Sequence, residues 1–166
     1  MQSVEWVKVR VIGLVCMVIL FALPLSSLGA VDMPQFSLPS VTDGKVVDSD
    51  SFTGKALLVT FFATWCAPCR QEVPVLKELH QKYEEKGFSV IGLSVDEKGA
   101  GVVAELVEQE QINYPVLMAG RKTPRTFGGI IGIPTSFLIN KAGHVVKKYP
   151  GYIPRALLEK DIKSVL

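Results

Sequence analysis

The 166-residue chain is poor in the residue types from which many functions are built. It holds only three cysteines and two histidines, His80 and His144, so histidine-based chemistry is narrowly limited. Charge of one sign is lacking too. Eighteen Lys and Arg face 16 Asp and Glu, a net charge of +2, and so balanced a surface does not bind nucleic acid through its phosphates. No segment repeats at a period of about 20 to 50 residues, which removes solenoids and propellers. Disorder is equally out of place in a sequence that is 48% apolar and 20% charged. At about 150 residues per domain, the length fits one domain plus whatever its ends carry.

The first end carries an address. Lys8 and Arg10 precede the uncharged run Val11–Leu23, and Pro24–Ala30 is richer in small residues and turn formers. Basic, apolar and small-residue regions in that order are those of a secretory signal. As a helix at about 1.5 Å per residue, the central run reaches about 20 Å, short of a ~30 Å hydrocarbon core. The cleavage site is imperfect, because ending at Ala30 puts Leu28 at the third position back. Uncut, residues 11–31 would serve as a membrane anchor. Residues 1–30 are therefore expected to be a signal peptide or an N-terminal anchor, and residues 31–166 the folded domain. Cys16, within the apolar run, reads as a small hydrophobe.

Past that segment, elements alternate. A short hairpin is expected at Gln35–Pro39 and Val46–Val47, turned by Thr42-Asp43-Gly44-Lys45. Ala56–Ala63 is a near-continuous apolar run, as in a strand covered on both faces. A helix should follow from about Ala67 to Lys86, ended by Gly87. Further elements are a strand at Phe88–Val95, a helix at Val102–Gln111 and a strand at Tyr114–Met118. Thr135–Ile139 and Val145–Tyr149 should pair across a turn, and Pro154 should open a last helix. The stretch Met118–Gly129 (MAGRKTPRTFGG) reads as a loop, solvated or facing a partner. The fold class is α/β, a central mixed β-sheet with helices on both faces.

The remaining cysteines stand as Trp65-Cys66-Ala67-Pro68-Cys69 at a strand-to-helix junction. Export allows thiols to be oxidised and kept so. Two cysteines three residues apart cannot staple distant parts of a fold. Half of a zinc or iron–sulfur site would need two further ligands at suitable spacing, and none is offered. The first sulfur would instead lie over the unpaired N–H groups of a helix start, which favour thiolate, the nucleophile of disulfide exchange. The second sulfur can reach the first and resolve a mixed disulfide. Pro68 stiffens the first turn without removing a needed donor.

These residues resemble the thioredoxin superfamily, and more narrowly its exported TlpA and ResA group of thiol–disulfide oxidoreductases. Phe36-x-Leu38-Pro39, Asp43-Gly44-Lys45, Pro74, Gly132-Ile133-Pro134-Thr135 and Asn140–Val145 carry the likeness beyond the motif, over roughly residues 34–166. The resemblance implies a thioredoxin-like fold with a short N-terminal hairpin extension, and a cis peptide bond at Ile133-Pro134 beside Cys66. It also implies substrate contacts from Trp65, Pro68, Ile133 and Pro134, and a Cys66–Cys69 redox disulfide. No metal or organic cofactor is implied. Implied partners are exported disulfide proteins such as apocytochrome c and a membrane thiol–electron donor, in a periplasmic or other extracytoplasmic setting.

Thioredoxin has a buried Asp six residues before its first Cys, where this chain has Thr60. The substitute is Glu72. On a helix at about 100° per residue, Glu72 falls near 300° from Cys69, between Leu76 and Leu79, and so within the apolar arc. A carboxyl held there has a raised pKa and can exchange protons near neutrality. The TlpA and ResA group carries a glutamate at this place. His80 falls on the same wheel but far along the helix, and reads as a half-buried core residue. Three rivals to this reading remain. A peroxiredoxin-type peroxidase would want Thr where Ala63 stands. A copper metallochaperone would need His144 as a third ligand. A redox-inert binding module leaves two intact thiols unexplained.

Overall fold

The computed structural model describes residues 30–166. The signal or anchor expected over residues 1–30 lies outside them, Ala30 apart. Among the described residues, no helix is long and apolar enough to cross a membrane.

The element order is β1 (Ser37–Pro39), β2 (Val46–Asp48), β3 (Ala56–Phe62), α1 (Ala67–Tyr83), β4 (Phe88–Ser94), α2 (Ala100–Gln109), β5 (Val116–Met118), α3 (Thr123–Thr126), β6 (Thr135–Ile139), β7 (Val145–Pro150) and α4 (Arg155–Val165). β1 and β2 form the hairpin, and the other five strands make one sheet in the order β5-β4-β3-β6-β7. β3, β4 and β5 run parallel, whereas β6 and β7 are antiparallel additions. The sheet is mixed, as the sequence predicts.

β3 sits at its centre, and all seven of its residues are buried. Because successive side chains alternate across a strand, Leu57, Val59 and Phe61 enter one core, and Ala56, Leu58 and Phe62 the other. The second core is roofed by α1, α2 and α4 through Leu76, Leu79, Val103, Leu106, Leu158 and Ile162. The first is roofed differently, by Met33, Phe36, Leu38 and Phe52 of the N-terminal segment and by Phe127. Helices lie on both faces, but three stand against the single turn of α3.

That turn corrects the reading of Met118–Gly129 as a loop. Thr123–Thr126 is helical, and Phe127 behind it is 4% exposed. Its ring packs edge-on against Phe61 (5.1 Å) and tilted against Phe137 (5.3 Å). Flanking charges and glycines concealed one aromatic that the sheet needs as a lid. Boundaries elsewhere shift by a few residues. α1 ends at Tyr83 and continues as a 3₁₀ turn to Lys86 before Gly87, whose φ of 80° is left-handed. α2 starts at Ala100, and β5 begins only after Pro115, which has no N–H to give a ladder.

Replacing Phe127 by Ala removes the lid aromatic and leaves a cavity over β3. Guanidinium unfolding followed by circular dichroism should show a loss of about 3–5 kcal/mol, with the folded spectrum retained. A loss below about 1 kcal/mol would mean that the aromatic cluster contributes little.

Candidate active site

Leaving β3, the chain makes a tight turn in which Cys66 N–H donates to the Ala63 carbonyl at 3.1 Å. Cys66 then stands as the N-cap of α1 with extended backbone, and Cys69 N–H points at its sulfur at 3.3 Å. An N-cap normally supplies an oxygen for these orphan donors; here a sulfur takes that place. Cys66 and Cys69 are joined as a disulfide. Both are buried, at 5% and 4% exposure, and Pro68 lies between them in the first helical turn.

β6 runs antiparallel to β3, so its start lies at the end of the sheet where β3 finishes. The Ile133-Pro134 bond preceding it is cis. The Ile133 carbonyl oxygen comes within 3.7 Å of Cys66 Sγ, a contact rather than a hydrogen bond while the sulfur is oxidised. Pro134 itself is buried, and its carbonyl accepts from Gly151 N–H at 2.8 Å. Beside the disulfide, Trp65 is 70% exposed and Ile131 fully so. With Val95, Pro124 and Ile133 they border an open, mostly apolar groove of about 460 Å³.

Glu72 lies on α1 one turn beyond Cys69 and is 4% exposed. Its Oε1 accepts the Ile153 N–H at 2.6 Å. Oε2 has no hydrogen-bond partner among the described residues. Burial raises the carboxyl pKa to about 7, with the Ile153 bond opposing that rise. Tyr114 is packed into the same region, and its hydroxyl is pushed up by burial and by the neighbouring Glu72 charge. Where thioredoxin has its Asp, Thr60 is buried and accepts the Ser136 hydroxyl at 2.9 Å.

His80 is buried more deeply than expected, at 7% exposure. Its Nδ1 accepts Val90 N–H at 3.2 Å, and burial lowers its pKa. His144 bridges to Asp32 at 2.8 Å in the β6–β7 turn, at the opposite end of β3 from the disulfide. It is no third ligand for Cys66 and Cys69. Ala63, where a peroxidase would need Thr, is fully buried.

Two participants escaped the sequence reading. Ile153 N–H, which anchors Glu72, belongs to the segment before α4, some eighty residues away, and nothing local announces it. Asp96 did carry a signal. It follows the carboxyl end of a parallel strand beside β3, where open α/β sheets place their sites, and it accepts three hydrogen bonds there.

The Redoxin family model matches residues 30–166. The thiol–disulfide oxidoreductase ResA of Bacillus thuringiensis subsp. konkukian is 36% identical over 135 residues, covering 81% of this chain and 76% of that protein. ResA of Bacillus subtilis is 28% identical over 127 residues, covering 76% of this chain and 70% of that protein. Among solved structures, a thiol:disulfide interchange protein of the thioredoxin family from Chlorobium tepidum superposes with a TM-score of 0.77 at 36% identity. It covers 84% of this chain and 99% of its own. With the helix-capping cysteine pair in place and relatives this similar along most of its length, the chain belongs to the Redoxin family and, within it, to the ResA-type thiol–disulfide oxidoreductases.

Proposed function

We propose that this oxidoreductase is exported and works in the reducing direction, on disulfides of other extracytoplasmic proteins such as apocytochrome c. A membrane dithiol donor recharges it. Residues 1–30 deliver it as a signal or hold it as an anchor. The observation that carries the reading is the buried Glu72 carboxyl, one helical turn from Cys69 and poised near neutrality, beside a disulfide at a helix N-terminus.

Starting from the dithiol, the Cys66 thiolate attacks one sulfur of a substrate disulfide. The other sulfur leaves as a thiolate and takes up a proton. Cys69 passes its proton to the Glu72 carboxylate and attacks Cys66 Sγ, which closes the enzyme disulfide. The second substrate sulfur is released and protonated in turn. The substrate gains two electrons and two protons, and the enzyme dithiol loses them. Trp65 and Pro68 wall the sulfur, and the Ile133-Pro134 backbone offers an edge to which an extended substrate segment adds as a strand.

Direction is tested by the reduction potential of the Cys66–Cys69 pair, equilibrated in graded dithiol buffers. The expected value lies toward about −270 mV, the region of thioredoxin-like reductants; one near −120 mV would make the protein an oxidant. For the division of labour, Cys69→Ser should accumulate a mixed disulfide with an oxidised substrate, visible on non-reducing gels. Cys66→Ser should form none. Trapping by both variants alike would sink the assignment.

Glu72 predicts a pH signature of definite sign. Raised from its ordinary 4.5 to about 7, it binds a proton more tightly folded than unfolded. Its contribution to stability is present below about pH 4.5 and is lost as pH rises through about 7, up to about 3 kcal/mol in all. Oxidised Glu72→Gln should lack that decline in denaturant titrations between pH 5 and 8. The same variant should resolve mixed disulfides about tenfold more slowly. Unchanged resolution would leave Glu72 a packing residue only.

A further inference from the structure

Beyond β4 lies a carboxyl that the exchange chemistry above does not use. Asp96 is 7% exposed. Its Oδ2 accepts the Thr64 N–H at 2.9 Å and the Ser94 hydroxyl at 2.8 Å, and its Oδ1 accepts the Thr64 hydroxyl at 2.6 Å. Its own N–H donates back to Ser94 Oγ at 3.1 Å. Ser94 is held in the sheet in turn, its carbonyl accepting Ala119 N–H from the chain beyond β5 at 2.8 Å. Asp96 is thereby tied to the sheet on one side and to Thr64 on the other.

Thr64 is the second residue of the turn that closes between Cys66 N–H and Ala63 O. A single carboxyl group that takes both donors of one threonine fixes that residue's backbone and its χ1 together. Next comes Trp65, 70% exposed and without a hydrogen bond of its own among the described residues. Trp65 lines two surface clefts, one also bordered by Thr64, Ala67 and Arg70, the other by Val95, Ile131 and Ile133. Val95, the residue before Asp96, lines the second. The Asp96–Thr64 link therefore ties together the two chain segments that carry Trp65 and Val95, both of which line the groove beside the disulfide.

We propose that Asp96 is a positioning residue for polypeptide substrates: by pinning Thr64 it sets Trp65 against Val95, and so the shape of the groove that receives the chain flanking a target disulfide. The proposal rests on the dithiol-exchange reading above. Asp96 acts through Thr64 and Trp65, not on the sulfurs. Small disulfides that need no groove do not depend on it.

The test compares the full-length protein with its Asp96→Ala, Asp96→Asn and Thr64→Val variants on two oxidants, insulin and glutathione disulfide. Dithiothreitol returns the Cys66–Cys69 pair to the dithiol after each turnover, and the rate without protein is subtracted. With insulin, Asp96→Ala should lose on the order of tenfold in kcat/KM, through KM rather than kcat, as expected for a misplaced binding wall. With glutathione disulfide its rate should stay within about twofold of wild type. Asp96→Asn should recover most of the insulin activity, since its amide oxygen still accepts and the Thr64 hydroxyl can reverse its role. Thr64→Val keeps the N–H and loses the hydroxyl, and should show a smaller defect confined to insulin.

Equal losses on both oxidants would overturn the proposal, as would no loss on insulin. If Asp96→Ala fails to fold, Thr64→Val decides alone by the same comparison. A wild-type protein that reduces neither oxidant would count against the exchange reading itself, before Asp96 is reached.

Discussion

Complete burial of β3 is the constraint on which the rest of the molecule depends. A strand covered on both faces and paired along both edges has one register in which its side chains all find apolar neighbours. That register decides where the strand stops, and so where the turn Ala63–Cys66 leaves the sheet. It also decides what arrives beside it. β4 runs parallel and ends at the same level, which delivers Asp96; β6 runs antiparallel and begins there, which delivers Ile133. Two stretches far apart in sequence are thus gathered at the disulfide's end of the sheet by the ladder of one strand.

At that end of the sheet the two buried carboxyls are treated differently. Glu72 is given one backbone donor, and burial brings it to the pH range where thiols exchange protons. Asp96 is surrounded by three donors from two residues. Burial with a single donor raises the Glu72 pKa, whereas several donors suit Asp96 to hold its partners still. The roles proposed for them, proton exchange and positioning, follow that contrast in environment.

The cysteine pair illustrates how local physics and fold combine. Its spacing and Pro68 make the helix start, and Cys69 N–H turns toward Cys66 Sγ in place of an ordinary capping oxygen. Yet the approach of the Ile133 carbonyl, the exposure of Trp65 and Ile131, and the packing of Tyr114 against the Glu72 region are gifts of the sheet topology. A peptide carrying only the motif would bring neither the Ile133 carbonyl nor Ile131 beside the sulfurs.

Much was legible beforehand because it depends on neighbours along the chain. The near-continuous apolar run of β3, the buried strand β4, the helix after Cys66, the left-handed stop at Gly87 and the placing of Glu72 on the apolar arc all arise within a few residues. Periodicity projects them without knowledge of the fold. What stayed hidden depends on partners brought from afar. Phe127 looked like one aromatic in a polar loop until Phe61 and Phe137 came to meet it. Asp96 looked like any acidic residue after a strand until Thr64, 32 positions earlier, gave it both donors. A buried hydrogen bond or an aromatic contact has no periodicity to read, because its energy belongs to a pair and only tertiary structure makes the pair.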